Sequence, residues 1–316
     1  MRINIFEAAT RLKAGEVVAI PTETVYGLAA SLHQPEGIQQ IFALKKRPLS
    51  NPLIIHVECV EKVLGLVSTL PQDFQKLAQA FWPGPLTLVL KIDEKKVPAI
   101  ARAGLSTAGF RIPLMKITRD LLEITGPLVM PSANLSGKPS STCLKHVEND
   151  FGENFPVLEG ESSEEGLEST ILIFQKGKWM IGRLGALSSE DIAVVLGYYP
   201  ELIEADKSKE APLCPGQLFR HYAPQAKLIF EGDSPPQDVH FVLGFEERTY
   251  ALDKKVLILG SLDDPHEVAH NLYAVLRQLD TERVTEAWVD LQFPREGLWK
   301  TIAERLLRAG EESLVT

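Results

Sequence analysis

Five short clusters hold most of the residues that can do chemistry, and each stands beside an apolar stretch. Pro21-Thr22-Glu23-Thr24-Val25-Tyr26-Gly27 follows EVVAIP. Its two threonine hydroxyls suit a small polar ligand at a strand end, or satisfy the backbone of a turn. Lys45-Lys46-Arg47-Pro48-Leu49-Ser50-Asn51-Pro52 leads to His56. Three cations complement a helix C-terminus, and the planar fork of Arg47 also suits phosphate or carboxylate. His56 alternates with apolar neighbours, which turns its ring toward a pocket and Ile55 and Val57 toward a core; a satisfied core histidine is the plainer alternative. Arg111 sits in an apolar strand between Ser106 and Pro113, where burial demands a partner. A protein carboxylate is the simplest partner and a substrate carboxylate the sharper one. PSANLSGKPSST (131–142) follows Met130 and places hydroxyls, an amide, a glycine and a lysine between a strand and a helix, where N–H groups can cradle phosphate. Glu168-Ser169-Thr170 enters another strand, and Arg183 leaves the next.

These clusters need a scaffold. Apolar periodicity predicts helices over 3–14, 35–45, 71–81, 116–124, 142–150 and 188–196. It predicts strands over 16–21, 53–57, 86–91, 107–112, 127–131, 169–174 and 178–183. Such intermixing implies an α/β sheet core. Residues 200–225 break the rhythm with PELIEADKSKEAP and CPGQLFRHYAPQ, as a linker does. The pattern then restarts as KLIFEG, HFVLGF, KVLILGS and TEAWVDLQF, with helices at 265–279 and 296–309: a small open α/β domain.

Composition narrows the function. A length of 316 residues fits roughly two domains. The net charge of −9 removes the footprint of a duplex-binding protein, so an anionic ligand must be held by a few placed cations. Three distant cysteines, Cys59, Cys143 and Cys214, exclude a disulfide framework and a CxxC metal site, and imply a reducing, cytoplasmic setting. No membrane span or secretory signal is visible. HExxH, GxSxG, GxGxxG and Walker A motifs are absent.

Taken in order, PTETVYGL, KKRPLSNPLIIHV, FWPGPLTLVL, RIP, PSANLSGKPSST, ESTI and IGRLGALS resemble the threonylcarbamoyl-AMP synthase family, the YrdC-domain proteins. PGQLFRHYAP (215–224) before a small α/β domain is similar to the long, two-domain form. The resemblance implies a twisted mixed open sheet whose surrounding helices form a concave catalytic cavity. It divides the chain into a catalytic domain (1–200), a linker that lids the active site (201–225) and a small Rossmann-like domain (226–316). It implies that L-threonine, bicarbonate or CO2, and ATP give L-threonylcarbamoyl-AMP and pyrophosphate. Mg²⁺ would arrive mainly on ATP, and a partner transferase would modify adenosine 37 of tRNAs reading ANN codons. Matched motif by motif, Thr24, His56, Arg111, Met130 and Ser169 would meet threonine. Arg47, Asn51, Thr107, Ser132, Ser140, Arg183 and Tyr222 would meet ATP. Lys45 would attract bicarbonate or the triphosphate, with Arg47 as a second electrostatic group and no residue assigned as general base. Cys214-Pro215-Gly216-Gln217 departs from the more usual Ser-Pro-Gly start of the lid, which bears on its contacts more than on the reaction. The alternative is an RNA-binding module that uses the basic cavity without catalysis; direct tRNA contact stays open, and no membrane role is implied.

Overall fold

The N-terminal part of the chain runs β1 (Arg2–Ile3), α1 (Ile5–Lys13), β2 (Val18–Ile20), β3 (Gly27–Ser31), α2 (Pro35–Lys45), β4 (Ile54–His56) and α3 (Val60–Leu66). It continues through α4 (Phe74–Phe81), β5 (Leu86–Lys91), β6 (Thr107–Arg111), α5 (Lys116–Thr125), β7 (Leu128–Val129), α6 (Leu144–Phe151) and β8 (Val157–Leu158). Then come β9 (Thr170–Gln175), β10 (Lys178–Arg183) and α7 (Ser189–Leu196). The C-terminal part is β11 (Lys227–Ile229), β12 (Phe241–Phe245), β13 (Lys255–Gly260), α8 (Pro265–Thr281), β14 (Glu286–Val289) and α9 (Leu298–Gly310). This computed structural model describes residues 1–203, 212, 214–215 and 221–311.

Local chemistry sets the helix limits. Asn4 caps α1 by accepting from the N–H groups of Phe6 and Glu7, and Ala8, Ala9 and Leu12 form its buried stripe. A Ser188–Asp191 capping box opens α7. Lys46 closes α2 in the left-handed region (φ 53°), which turns Arg47 back so that its N–H bonds to the carbonyl of Phe42.

The ten-stranded sheet has the order β1-β8-β2-β3-β7-β4-β6-β5-β9-β10 and mixes parallel with antiparallel pairs. Alternation along its central strands divides two faces. Ile55, Val57, Leu88, Leu90, Phe110, Ile112 and Leu172 join the main core. Ile54, His56, Gly109 and Arg111 stand on the opposite face, with register Ile54↔Gly109 and His56↔Arg111. At Gly109 a Cβ would meet Thr87 Cγ2 at 3.1 Å, so a glycine here lets the floor of that face lie low.

The second sheet is four-stranded and wholly parallel, with order β11-β14-β12-β13. Its core, under α8 and α9, extends to Val25, Leu167, Ala186 and Tyr222. The two parts of the chain therefore share apolar packing beside the strand ends that carry the sequence clusters.

Most expected elements stand within a few residues of where the periodicity puts them. The sequence reading omits β1, β3, α3 and β8. GLAAS of β3 lacks the β-branched residues that mark a strand, β1 and β8 span two residues each, and α3 is only seven residues long. The expected lid falls partly on 204–211, 213 and 216–220, outside the described residues. Of the described part, Leu202 bridges to Ile181, and Cys214 packs with Ile54, Val89, Ile171 and Ile173.

Candidate active site

A recess of about 710 Å³, its mouth included, opens over the Ile54–Arg111 face. Thr22, Thr24, Arg47, His56, Arg111, Met130, Ser132, Asn134, Lys138, Ser140, Glu168, Ser169, Arg183, Pro215, His221 and Tyr222 are among its walls. A net-acidic chain thus gathers four Lys and Arg side chains around one cavity.

Arg111 is the best-defined group. Its Nε donates to the carbonyl of Gly84 (3.2 Å), Nη1 to Thr24 Oγ1 (2.7 Å) and Nη2 to Glu23 Oε1 (2.5 Å). Both members of the Arg111–Glu23 ion pair are about 5% exposed or less. The simpler expectation, a protein carboxylate, is therefore realised in this state. It does not exhaust the guanidinium: three of five N–H donors are engaged, and two are left for a ligand. Glu23 Oε2 is buried without a hydrogen-bond partner, an unsatisfied acceptor behind Arg111. Thr22 Oγ1 donates to the carbonyl of Val25 (2.6 Å), which makes Thr24 the donor in the 2.9 Å contact between the two hydroxyls. Thr24 then faces a ligand only as an acceptor.

His56 sits beside Arg111, and burial, then the Arg111 charge, pushes its pKa well below the usual range. Its ring is neutral at pH 7. Nδ1 lies 3.3 Å from the carbonyl of Ile54, which can only accept, so Nδ1 carries the proton and Nε2 keeps a lone pair.

A second group surrounds Arg183. Its Nη2 donates to the carbonyl (2.8 Å) and hydroxyl (3.2 Å) of Ser169, whose Oγ also lies 2.8 Å from Thr87 Oγ1. Arg183 Nε and His221 Nε2 are buried without partners. Two orphaned nitrogens on residues lining one cavity are what a polar ligand would satisfy. Burial, then Arg47, lowers the His221 pKa to about 3, so it too is neutral. Arg47 donates to the carbonyls of Asn51 (3.3 Å) and Pro52 (2.9 Å), and burial, then Arg183, weakens its hold on its proton. Glu168 accepts from Ser140 Oγ (2.5 Å), Tyr273 Oη (2.8 Å) and Arg305 Nε (3.2 Å). Burial raises its pKa, but the opposing charges of Arg305 and Arg183 outweigh that and hold it ionised.

Of the expected site residues, Thr24, Arg47, His56, Arg111, Met130, Ser132, Ser140, Ser169, Arg183 and Tyr222 meet at this cavity. Three are placed elsewhere. Asn51 lies on an adjoining opening that shares Arg47, Lys138 and His221 with the cavity, and its buried Oδ1 has no partner. Lys45 is not a wall of the cavity. Its Nζ donates to the carbonyls of Ser132 and Asn134 at 2.5 Å each, and burial, then Arg47, lowers its pKa. It clamps the 132–136 loop from behind, where the sequence expectation has it drawing in anions. Thr107 shares the face of Arg111 but stands four residues away, about 13 Å along the strand. It lines a separate depression with Leu105, Ser106, Phe174 and Gln175.

Glu23, Asn134, Lys138 and Glu168 lie within the five sequence clusters, His221 within PGQLFRHYAP and Thr87 within FWPGPLTLVL, all without an assigned role. Tyr273 and Arg305 lie outside every motif. The signals of Thr87, Tyr273 and Arg305 are polar groups in apolar settings: a threonine inside LTLVLK, and a tyrosine and an arginine on the apolar stripes of α8 and α9.

Among the described residues no group of His, Cys, Asp and Glu has a metal-binding arrangement, and no helix is long and apolar enough to cross a membrane. Glu168 already accepts three hydrogen bonds.

Residues 10–185 match a family model described as telomere recombination (Sua5, YciO, YrdC), and residues 187–310 match one described as threonylcarbamoyl-AMP synthase, C-terminal domain. The threonylcarbamoyl-AMP synthase of Pyrococcus abyssi is 35% identical, over 96% of this chain and 92% of its own. That of Bacillus subtilis is 34% identical, over 97% and 92%. The solved structure of P. abyssi Sua5 complexed with L-threonine superposes with a TM-score of 0.89 at 33% identity, covering 98% of this chain and 97% of that one.

Proposed function

The chain belongs to the threonylcarbamoyl-AMP synthase family, and from that premise we propose that it condenses L-threonine, bicarbonate or CO2, and MgATP into L-threonylcarbamoyl-AMP and pyrophosphate. The observation that carries this reading is the cavity itself. It combines a buried arginine with two spare donors, a neutral histidine and hydroxyls with a second arginine whose Nε is orphaned. An amino acid carboxylate fits the first set and a phosphate oxygen suits the second.

Arg111 would take the threonine carboxylate through its two remaining N–H donors. Thr24 Oγ1 and His56 Nε2 would accept from the α-amine and the side-chain hydroxyl. The α-ammonium loses one proton to become the free amine, the amine nitrogen forms a C–N bond to the carbon of CO2, and a second proton leaves that nitrogen to give the carbamate; both protons pass to solvent. A carbamate oxygen then attacks the α-phosphorus of ATP, and the bond to the β-phosphate oxygen breaks, releasing pyrophosphate. Charge grows on phosphate oxygens throughout, so fixed cations in a water-poor recess favour the transition state. Arg47, Arg183 and Lys138, all on its walls, would fill that role, with Ser132 and Ser140 as nucleotide contacts. Tyr222, also on the wall, would shield the carbamate, which water would hydrolyse.

The product is an activated acyl donor. We assign it to t6A formation at adenosine 37 of tRNAs reading ANN codons, through a separate transferase in the cytoplasm. Incubation with ¹³C-bicarbonate, MgATP and L-threonine tests the reading by mass spectrometry. A ¹³C-labelled threonylcarbamoyl-AMP is expected. ATP consumption without incorporated ¹³C would overturn it.

A further inference from the structure

We infer that Tyr273 and Arg305, on α8 and α9 of the C-terminal part, are positioning residues for the nucleotide side of the cavity and act through Glu168 and Tyr222. This rests on the proposed ATP site. Both side chains are fully buried. The Tyr273 hydroxyl and Arg305 Nε donate to one oxygen of Glu168, and Ser140 Oγ donates to the other. The same two residues enclose the ring of Tyr222. Tyr273 stacks on it at 5.3 Å between centroids and 18° between planes, and the Arg305 guanidinium lies 4.7 Å from its centroid. Arg305 Nη2 also donates to the carbonyl of Leu184, next to Arg183 (2.6 Å). Tyr222 needs such a clamp, because its φ of +67° lies in the left-handed region.

The network has a chemical consequence for the ligand. Glu168, held ionised by the charges of Arg305 and Arg183, can only accept, so it claims the only proton of Ser140. Ser140 can therefore meet a nucleotide only as an acceptor. Its partner must be an O–H or N–H group of the nucleoside, a ribose hydroxyl or the exocyclic amine, and not a phosphate oxygen. The C-terminal part thus sets the hydrogen-bond polarity of a wall it does not itself form.

Steady-state kinetics and calorimetric ATP binding on the full chain test this. Tyr273→Phe keeps the stacked ring and deletes one donor to Glu168. It should raise the KM and Kd for ATP about three- to tenfold and leave the KM for threonine within twofold, a fraction of the more than tenfold effect of losing a hydrogen bond to a charged group outright, because Tyr273 acts on the nucleotide only through Glu168. Arg305→Lys keeps a charge but loses Nε and the flat face over Tyr222; it should show the same split. In a Ser140→Ala background, Tyr273→Phe should add little to the ATP effect, because both act through one carboxylate. Lys300→Gln removes a different contact between the two parts, to Glu190, and should lower Tm alone. An ATP KM that is unchanged in both variants, or an undiminished Tyr273→Phe effect in the Ser140→Ala background, would overturn the inference. Absence of product from the unaltered chain despite ATP binding would instead overturn the ATP-dependent reading on which it rests.

Discussion

Glu23→Gln separates two roles of charge at Arg111. The ion pair is 2.5 Å long and almost fully buried, and a glutamine keeps the shape and one acceptor while removing the charge. A buried cation that loses its partner destabilises a fold by roughly 3–5 kcal/mol, which for a chain of this size lowers Tm by roughly 5–8 °C. Threonine binding should move the other way. Two carboxylates on either side of one guanidinium lie ~6 Å apart and repel by about 3 kcal/mol at an effective dielectric constant of 20. Removing Glu23's charge relieves that repulsion and leaves the ligand carboxylate as the principal counter-ion of Arg111. Some of the gain is lost to looser positioning of the arginine, so the expected Kd for L-threonine is about five- to fiftyfold tighter than in the unaltered chain. Differential scanning fluorimetry and calorimetry read both effects. L-Threoninamide, which lacks the carboxylate, serves as the control and should not rescue the variant. A folded Glu23→Gln protein that binds threonine more weakly, or that threoninamide stabilises equally, would refute the reasoning.

Further outcomes follow from the same geometry. Lys45→Met removes two buried charge-assisted hydrogen bonds to the 132–136 loop and should destabilise by roughly 3 kcal/mol in a urea melt. Thr107→Ala should leave the KM for ATP unchanged, since Thr107 lines a different depression; a clear rise would return it to the nucleotide site. His56 and His221 have depressed pKa values in the folded chain, so the unfolded chain takes up their protons first as pH falls. Their contribution to stability should therefore decline as pH drops below about 6.5, by up to about 1.4 kcal/mol per pH unit for each. Histidine ¹⁵N NMR at pH 5 should show both rings neutral, and a protonated His56 would contradict the assigned Nε2 acceptor.

The scaffold is legible in the sequence wherever apolar periodicity runs for about five residues in a strand or eight in a helix. Strands β5 and β10 and helix α2 fall where the pattern puts them, whereas β3, built of small residues, does not announce itself. The site is legible as motifs, because each cluster is local and several flank adjoining strands. Function within a motif is less so. Lys45 and Arg47 are two residues apart, yet the left-handed turn at Lys46 sends one behind the 132–136 loop and the other to the cavity. Arg111 and Thr107 share a strand face, but their distance along it separates their surroundings. Residues that act from afar leave the weakest signal. Tyr273 and Arg305 look like flaws in apolar stripes until the packing of α8 and α9 brings them to Glu168, more than a hundred positions away in the chain.

The central claim is that one cavity joins threonine to a carbon dioxide equivalent and to ATP. It is tested most directly by pyrophosphate release from the purified chain with MgATP, with and without bicarbonate, and with each amino acid in turn. Release should need both bicarbonate and L-threonine, and Arg111→Ala should abolish it at threonine concentrations saturating for the unaltered chain. Release that is indifferent to the amino acid, or that survives Arg111→Ala unchanged, would contradict it.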